Sequence, residues 1–207
     1  MIKRITSIAL LCLLSMTFTN KCYVNVNAAT IEQQQDFINA LKKGAIEGYQ
    51  KYNILPSITI AQGILESGWG NSDLAQYGNN LFGIKAYSDW QGEIVYLPTK
   101  EYNSEGISYT ITAAFRHYDS YTQCIEDHNL LLNNKRYERL RNATNYVDAC
   151  YAIYDCGYAT APNYAEQLIS VIEKYELYNY DTEEINKKKT AEDNASLINY
   201  FSNVMNN

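Results

Sequence analysis

The hydrophobic pattern of this chain leaves helical spacing over one short region, and that interruption is the strongest constraint on the fold. Over residues 37–49 the apolar side chains recur at helical spacing. Two later runs, 94–96 and 107–111, alternate apolar and polar residues instead, and a polar stretch at 103–106 joins them. Helical spacing then returns. This order predicts an α+β domain, mainly α, with one small antiparallel β region inserted between helices.

Capping residues mark where several of the helices begin. Thr30 followed by Gln33 predicts a capping box at the start of the first helix. Pro56 suits the first turn of a second helix, which Gly68 and Gly70 end. Further helices are predicted from Ser120, over residues 145–154 and over residues 162–175.

The first residues have the layout of a secretory signal peptide. Lys3 and Arg4 precede a mostly apolar stretch at 5–18, and small residues follow at 26–28. The apolar core is too short to span a bilayer comfortably, although a retained anchor is the alternative. We therefore expect residues 1–28 to be removed, with no stable membrane insertion afterwards. The product would be secreted, extracellular or associated with the cell wall.

The remaining chain divides into two parts by composition. Residues 29–178 carry the periodic patterns and predict one compact domain. Residues 179–207 are rich in charged residues and asparagine, which predicts a polar C-terminal tail, with a short amphipathic helix as the alternative.

Charge and aromatic content limit the kind of partner. The net charge is −6, and removal of residues 1–28 makes it −9, so a basic nucleic-acid-binding face is not expected. The chain holds 20 tyrosines against 5 phenylalanines and 2 tryptophans. Tyrosine has an apolar ring and a polar tip, which suits clefts that bind polar ligands as well as cores.

The cysteines and histidines do not predict a disulfide scaffold or a metal site. Cys124, Cys150 and Cys156 remain after the signal peptide, and three cysteines cannot all pair within one chain. Cys150 and Cys156 are close enough in sequence to pair, but free thiols are the preferred interpretation. His117 and His128 lack zinc-type spacing, so we expect structural or surface histidines and no metal.

Glu66 is the first candidate catalytic residue. It ends a strongly apolar helix and is followed by Ser67-Gly68-Trp69-Gly70. A carboxyl group surrounded by hydrocarbon has a raised pKa, as a general acid near neutral pH requires. An exposed glutamate at a helix end is the alternative.

Several segments in one order resemble a known family. They are Glu-Ser-Gly-Trp-Gly at 66–70, Asn-Asn-Leu-Phe-Gly-Ile-Lys at 79–85 and Tyr-Ala-Thr at 158–160. Together these segments resemble glycoside hydrolase family 73, the bacterial peptidoglycan glucosaminidases, over about residues 37–178. Glu-Ser-Gly alone also occurs in lytic transglycosylases and other lysozyme-like enzymes.

The resemblance implies a lysozyme-like fold in which a helical lobe and a small β-lobe flank a glycan groove. The implied reaction is hydrolysis of the β-1,4 bond after N-acetylglucosamine in peptidoglycan. Glu66 matches the family's catalytic acid, Glu101 matches its second carboxylate and Tyr158 matches a tyrosine in its cleft. Ala161 stands where many relatives carry aspartate.

The role of the second carboxylate stays open. Glu101 near a hairpin turn would suit activation of water, or support for attack by the substrate's own acetamido group. The competing second carboxylates are Asp89, Glu93, Glu105 and Asp119.

Aromatic and amide side chains are expected to line the sugar subsites, because sugar rings have apolar faces and polar edges. The candidates are Trp69, Asn80, Phe82, Tyr118 and Tyr164. Turn formation is the alternative for Asn80, and burial of the acid is the alternative for Trp69.

Three functions are weighed. The first is an endo-β-N-acetylglucosaminidase that acts on peptidoglycan glycan strands as a monomer and without a cofactor. The second is a muramidase or lytic transglycosylase that cuts the same polymer differently. The third is a non-catalytic wall-binding or assembly protein.

Overall fold

The protein is mainly helical, with one small sheet. Its structure, a computed structural model, describes residues 30–102 and 106–205, so the predicted signal peptide lies outside the described residues. In chain order the elements are α1 (Ile31–Tyr52), α2 (Pro56–Ser67), α3 (Asp73–Gly78), β1 (Ile94–Tyr102), β2 (Ser108–Arg116), α4 (Tyr121–Leu132), α5 (Glu138–Arg141), α6 (Tyr146–Asp155), α7 (Tyr164–Lys174) and α8 (Tyr178–Met205).

The predicted capping residues are in place. Thr30 and Gln33 form the capping box of α1, and Pro56 occupies the first turn of α2. The Ser120 side chain accepts a hydrogen bond from the backbone N–H of Gln123 at the start of α4. The local rules for helix starts therefore located these elements to within a few residues.

Helix α2 is the centre of the helical part. It packs against α1, α6, α7 and α8, and most of its residues are buried. A helix that is apolar on all sides needs such an environment, because any exposed side would present hydrocarbon to water. The residue at the end of α2 is consequently held by neighbours on several sides.

The β region is a two-stranded antiparallel hairpin, as predicted. Val95 pairs with Phe115 and Thr99 pairs with Ile111. Phe115 is buried and Ile111 is exposed on the same face, since alternate residues of a strand share a face. One end of the hairpin therefore joins the body of the protein, and the other extends beyond it.

The C-terminal segment differs from the predicted tail. Residues Tyr178–Met205 form one continuous helix, α8, whose first turns carry the buried Asp181 and Glu184 and whose described side chains after residue 185 are exposed. Its start docks through polar contacts: Asp181 binds Ser57, and Glu184 accepts from Gln50 at 3.1 Å. The fully buried side chains of this helix are acidic, which an apolar pattern does not predict, although Tyr178, Tyr180 and Ile185 also pack against the core.

Asp181 caps helix α2 from a distance. The residue before α2, Leu55, has no side chain that can cap it. Asp181 instead accepts from the Ser57 backbone N–H at 2.8 Å and from the Ser57 hydroxyl at 2.6 Å. Burial raises the pKa of Asp181 to about 6, although the bonds from Ser57 oppose this rise.

Replacement of this remote cap should destabilise the domain. Asp181→Ala leaves two buried donors of Ser57 without an acceptor, which should lower the free energy of unfolding by about 1–3 kcal/mol. Asp193→Ala, in the exposed half of α8, is the matched control and should have almost no effect. Thermal and urea unfolding measure both variants. Equal stability of the two would contradict the capping role.

The three described cysteines are free thiols. Cys124 and Cys150 are buried, Cys156 is partly exposed, and the preferred interpretation from sequence is confirmed. Within residues 30–102 and 106–205, no helix is both long and apolar enough to cross a membrane.

Candidate active site

Glu66 occupies the last turn of the buried helix α2. The residues around it, among them Gln62, Gly63 and Ser67, are buried, whereas Glu66 retains a partly exposed surface. Its carboxyl group is therefore held by a rigid element, on a residue that is not wholly enclosed by the protein.

The turn that follows Glu66 is fixed by an unusual backbone. Residues 68–70 all have positive φ, at 56°, 63° and 75°, although the middle one is not glycine. The Ser67 hydroxyl donates to the Gly63 carbonyl at 2.5 Å and accepts from the Gly70 backbone N–H at 2.8 Å. Left-handed backbone at a bulky residue costs free energy, so these bonds hold the turn in shape.

The pKa of Glu66 is raised towards neutral pH. Burial raises its pKa to about 7, and a hydrogen bond from Tyr164 partly opposes that rise. The Tyr164 hydroxyl donates to Glu66 Oε1 at 2.8 Å. A carboxyl group with this pKa is largely protonated at mildly acidic pH, which a general acid requires.

Tyr158 and Tyr164 stand together beside Glu66. Their rings stack with centroids 5.9 Å apart and planes 24° apart, and both are buried. The negative charge of Glu66 helps to raise the pKa of each hydroxyl, after burial as the larger cause. The fold thus brings Glu66 together with two tyrosines that lie more than 90 residues later in the sequence, and sequence analysis had singled out all three.

His128 holds Tyr158 in place. Its Nε2 lies 3.1 Å from the Tyr158 hydroxyl, and its ring stacks on Phe82 with centroids 3.7 Å apart. Burial lowers the pKa of His128 to about 3, so the imidazole is neutral near pH 7 and does not act there as a proton donor. Phe82 is itself buried under this ring. Sequence analysis expected His128 to be structural and did not connect it with Tyr158.

Asn80 organises the base of the hairpin. Its amide nitrogen donates to the carbonyls of Ile84 and Arg116, each at 2.9 Å, and its Oδ1 accepts from the Ile84 N–H at 3.0 Å. The side chain is buried. These contacts correspond to turn formation, which was the alternative interpretation, and contact of Asn80 with substrate stays a prediction.

Tyr118 is part of a charged network at the same base. Its hydroxyl donates to Asp127 at 2.6 Å, and Arg116 binds Asp127 at 2.8 Å. Arg116 also lies over the ring of Trp90, 4.6 Å from its centroid. Tyr118 is buried by these neighbours, so the structure gives it a role in joining the hairpin to α4. Sequence analysis missed Asp127, since one acid on a helix gives no signal of its own.

Trp69 packs away from Tyr164, the residue that binds Glu66. Its ring contacts Phe37 and Tyr175, with centroids 6.0 Å and 4.9 Å away. Tyr175 directly follows α7, whereas Tyr164 begins it, so Trp69 lies at the opposite end of that helix. Its predicted place in a sugar subsite remains untested.

Glu101 is the second-last residue of β1. The pairing of the strands puts it directly opposite Tyr109, and the side chains at 101–105 are outside the description. Two of its competitors are near basic groups: Asp89 lies 3.9 Å from Arg116, and Glu93 lies 3.4 Å from His117.

The mainly helical domain with a small antiparallel sheet has the architecture of the lysozyme-like glycosidases. The glucosaminidase family model, described as mannosyl-glycoprotein endo-beta-N-acetylglucosaminidase, matches residues 42–177. That match covers more than half of the chain, so the chain belongs to this family, glycoside hydrolase family 73. The resemblance stated from sequence is thereby confirmed.

Named relatives include enzymes of the bacterial cell wall. The exo-glucosaminidase LytG of Bacillus subtilis (strain 168) is 40% identical over 191 residues, which cover 89% of this chain and 66% of LytG. The peptidoglycan hydrolase FlgJ of Salmonella typhimurium is 33% identical over 145 residues, which cover 68% of this chain and 46% of FlgJ. The chain thus spans about two thirds of the length of LytG and about half of FlgJ.

A solved structure supports the fold. The catalytic domain of the autolysin Auto from Listeria monocytogenes is 36% identical, with a TM-score of 0.66. The likeness covers 75% of this chain and 92% of that domain. The predicted fold class, mainly α with a small antiparallel β-lobe, is confirmed.

Proposed function

We propose that the chain is a secreted peptidoglycan hydrolase that cleaves the β-1,4 bond after N-acetylglucosamine. The observation that carries this proposal is the Glu66 carboxyl, held at the end of a buried helix with its pKa raised to about 7 and bound to Tyr164. Membership in the glucosaminidase family supplies the reaction class.

The proposed chemistry begins with the proton on Glu66. Glycoside cleavage needs an acid that protonates the leaving oxygen while positive charge develops at the anomeric carbon. Glu66 gives this proton and becomes a carboxylate, which the Tyr164 hydroxyl then stabilises. The buried Tyr158 forms the wall beside it.

The second carboxylate is assigned to Glu101 on the hairpin. It either activates the attacking water or supports attack by the acetamido oxygen of the substrate. Trp69, Asn80, Phe82, Tyr118 and Tyr164 remain proposed substrate contacts, among which the structure favours Tyr164 because it touches the acid. We further propose that the enzyme acts as a monomer at the cell wall, with no nucleic-acid partner and no cofactor.

Product analysis tests the bond that is cleaved. Purified peptidoglycan is digested, reduced with borohydride and separated for mass spectrometry. We expect reduced N-acetylglucosamine at the new chain ends. Anhydromuramic ends would instead show a lytic transglycosylase, and reduced muramic acid would show a muramidase. No release from the wall by the wild-type protein would favour a non-catalytic wall-binding role.

An exo-acting enzyme is the second candidate, because LytG is named an exo-glucosaminidase and matches 89% of this chain. The same digest distinguishes the two over time. Internal cleavage shortens the glycan strands early, whereas terminal cleavage releases small fragments while most strands keep their length.

A further inference from the structure

A buried glutamine stands behind the candidate acid. Gln62 lies one turn before Glu66 on α2 and is fully buried. Its Nε2 donates to the Tyr164 hydroxyl at 3.0 Å, and that hydroxyl donates to Glu66 Oε1 at 2.8 Å. An amide nitrogen is only a donor, so the hydroxyl oxygen accepts from it and the hydroxyl proton is directed to Glu66.

The amide oxygen of Gln62 indicates that the contact between Gln62 and Tyr164 serves more than stability. Gln62 Oε1 is buried and has no hydrogen-bond partner in the described part of the chain. An unpaired buried carbonyl costs free energy, so an apolar side chain of similar size would serve stability better at this position. What glutamine adds is the amide hydrogen that binds Tyr164.

We propose that Gln62 is a positioning residue, which fixes the Tyr164 hydroxyl as a donor to Glu66 and thereby controls when Glu66 releases its proton. The consequence for catalysis rests on the proposed function, whereas the hydrogen-bond relay stands without it. The relay holds Oε1 and leaves the second carboxyl oxygen for the substrate.

The groups that face Glu66 make the relay its main polar contact. Tyr164 of α7 and Tyr158 of the preceding loop are both neutral hydroxyls, because burial raises the pKa of each. His128 of α4, behind Tyr158, is neutral near pH 7. Loss of the Tyr164 donor therefore leaves the effect of burial on the pKa of Glu66 unopposed by that hydrogen bond.

Direct titration of Glu66 tests the relay. Carbon-13 NMR of labelled glutamate carboxyls follows the titration, and the signal lost in Glu66→Gln identifies Glu66. Tyr164→Phe should raise the Glu66 midpoint by roughly one to two pH units, the value of one hydrogen bond to a charged group. Gln62→Leu should raise it by a smaller amount. Tyr151→Phe is the matched control, because that hydroxyl binds the exposed Glu166 and should leave Glu66 unchanged.

Activity measurements give the second readout. In both variants the alkaline limb of the kcat/KM profile on peptidoglycan should move upward with the Glu66 midpoint, and KM should change little. An unchanged midpoint in Gln62→Leu would overturn the role of Gln62, and an unchanged midpoint in both variants would overturn the relay. Shifted midpoints in a protein that does not hydrolyse peptidoglycan would support the relay and overturn only the proposed function. If Tyr164→Phe does not fold, Gln62→Leu decides.

Discussion

Glu66→Gln should lower the hydrolysis of peptidoglycan by about 10²–10⁴-fold, because glutamine has the shape of glutamic acid but no proton to give. The amide oxygen can still accept from the Tyr164 hydroxyl, so the local geometry should be kept. Release of reducing ends from purified peptidoglycan measures the loss. Binding to insoluble peptidoglycan, measured by sedimentation, should remain close to that of the wild type.

Glu126→Gln is the matched control for this variant. Glu126 is an exposed glutamate on α4 that binds Lys51 at 2.8 Å, and surface ion pairs contribute little to stability. This control should keep full activity. Near-normal activity in Glu66→Gln, or an equal loss in both variants, would remove Glu66 from its proposed role.

The pH dependence of stability separates loss of catalysis from loss of folding. The pKa of Glu66 in the folded state is about 7, above its ordinary value of 4.5. The folded state therefore binds this proton more tightly, and stability from this group is fully present below pH 4.5 and is lost as the pH rises through 7. Glu66→Gln has no charge to bury. It should consequently unfold at a higher temperature than the wild type at pH 8 and at a similar temperature at pH 4.

Sequence analysis predicted the elements whose signals are local. The capping box at Thr30, the proline that starts α2 and the alternating runs of the hairpin each depend on neighbouring residues, and the structure has all of them. The long helix α8 was missed for the opposite reason. Its docking depends on Asp181 and Ser57, which are 124 residues apart in sequence.

In the candidate site, too, some residues were predicted from the sequence and others become evident only in the folded chain. The resemblance indicated Glu66 and Tyr158, because the segments around them are specific in their order, and the affinity of aromatic rings for sugars indicated Tyr164. It gave no indication that Gln62 and His128 support the two tyrosines, since a glutamine or histidine on an apolar helix is equally consistent with an ordinary core. For Asn80 and Tyr118, the residue type was right for sugar binding, but their side chains are occupied by Arg116 and its partner Asp127. These contacts of Asn80 and Tyr118 can be identified only from the folded structure.

The hairpin determines where the proposed second carboxylate, Glu101, lies along the fold. Position 101 lies opposite Tyr109, and Tyr109 lies on the same face of the hairpin as the buried Phe115. That face packs against the body of the protein at one end and continues past it at the other, where Tyr109 is about half exposed. By its backbone pairing, position 101 therefore belongs to the outer part of the hairpin, beyond the end that packs against the body of the protein.

Glu101→Gln should therefore lower peptidoglycan hydrolysis by about 10²-fold or more, because the step at the anomeric carbon loses its carboxylate. Its fold should be unaffected, since residue 101 is near the end of a strand. The loss should appear in kcat, measured as reducing ends released at saturating peptidoglycan, with little change in KM.

Glu93→Gln is the matched control on the same hairpin. Glu93 is exposed at its base, 3.4 Å from His117, and its replacement should leave kcat close to that of the wild type. Parallel variants, Asp89→Asn, Glu105→Gln and Asp119→Asn, complete the comparison of candidate carboxylates. If one of these loses activity and Glu101→Gln does not, the second carboxylate is that residue. If none does while Glu66→Gln is inactive, the acetamido group of the substrate supplies the attack without a second carboxylate from the enzyme, because a single acid is then sufficient.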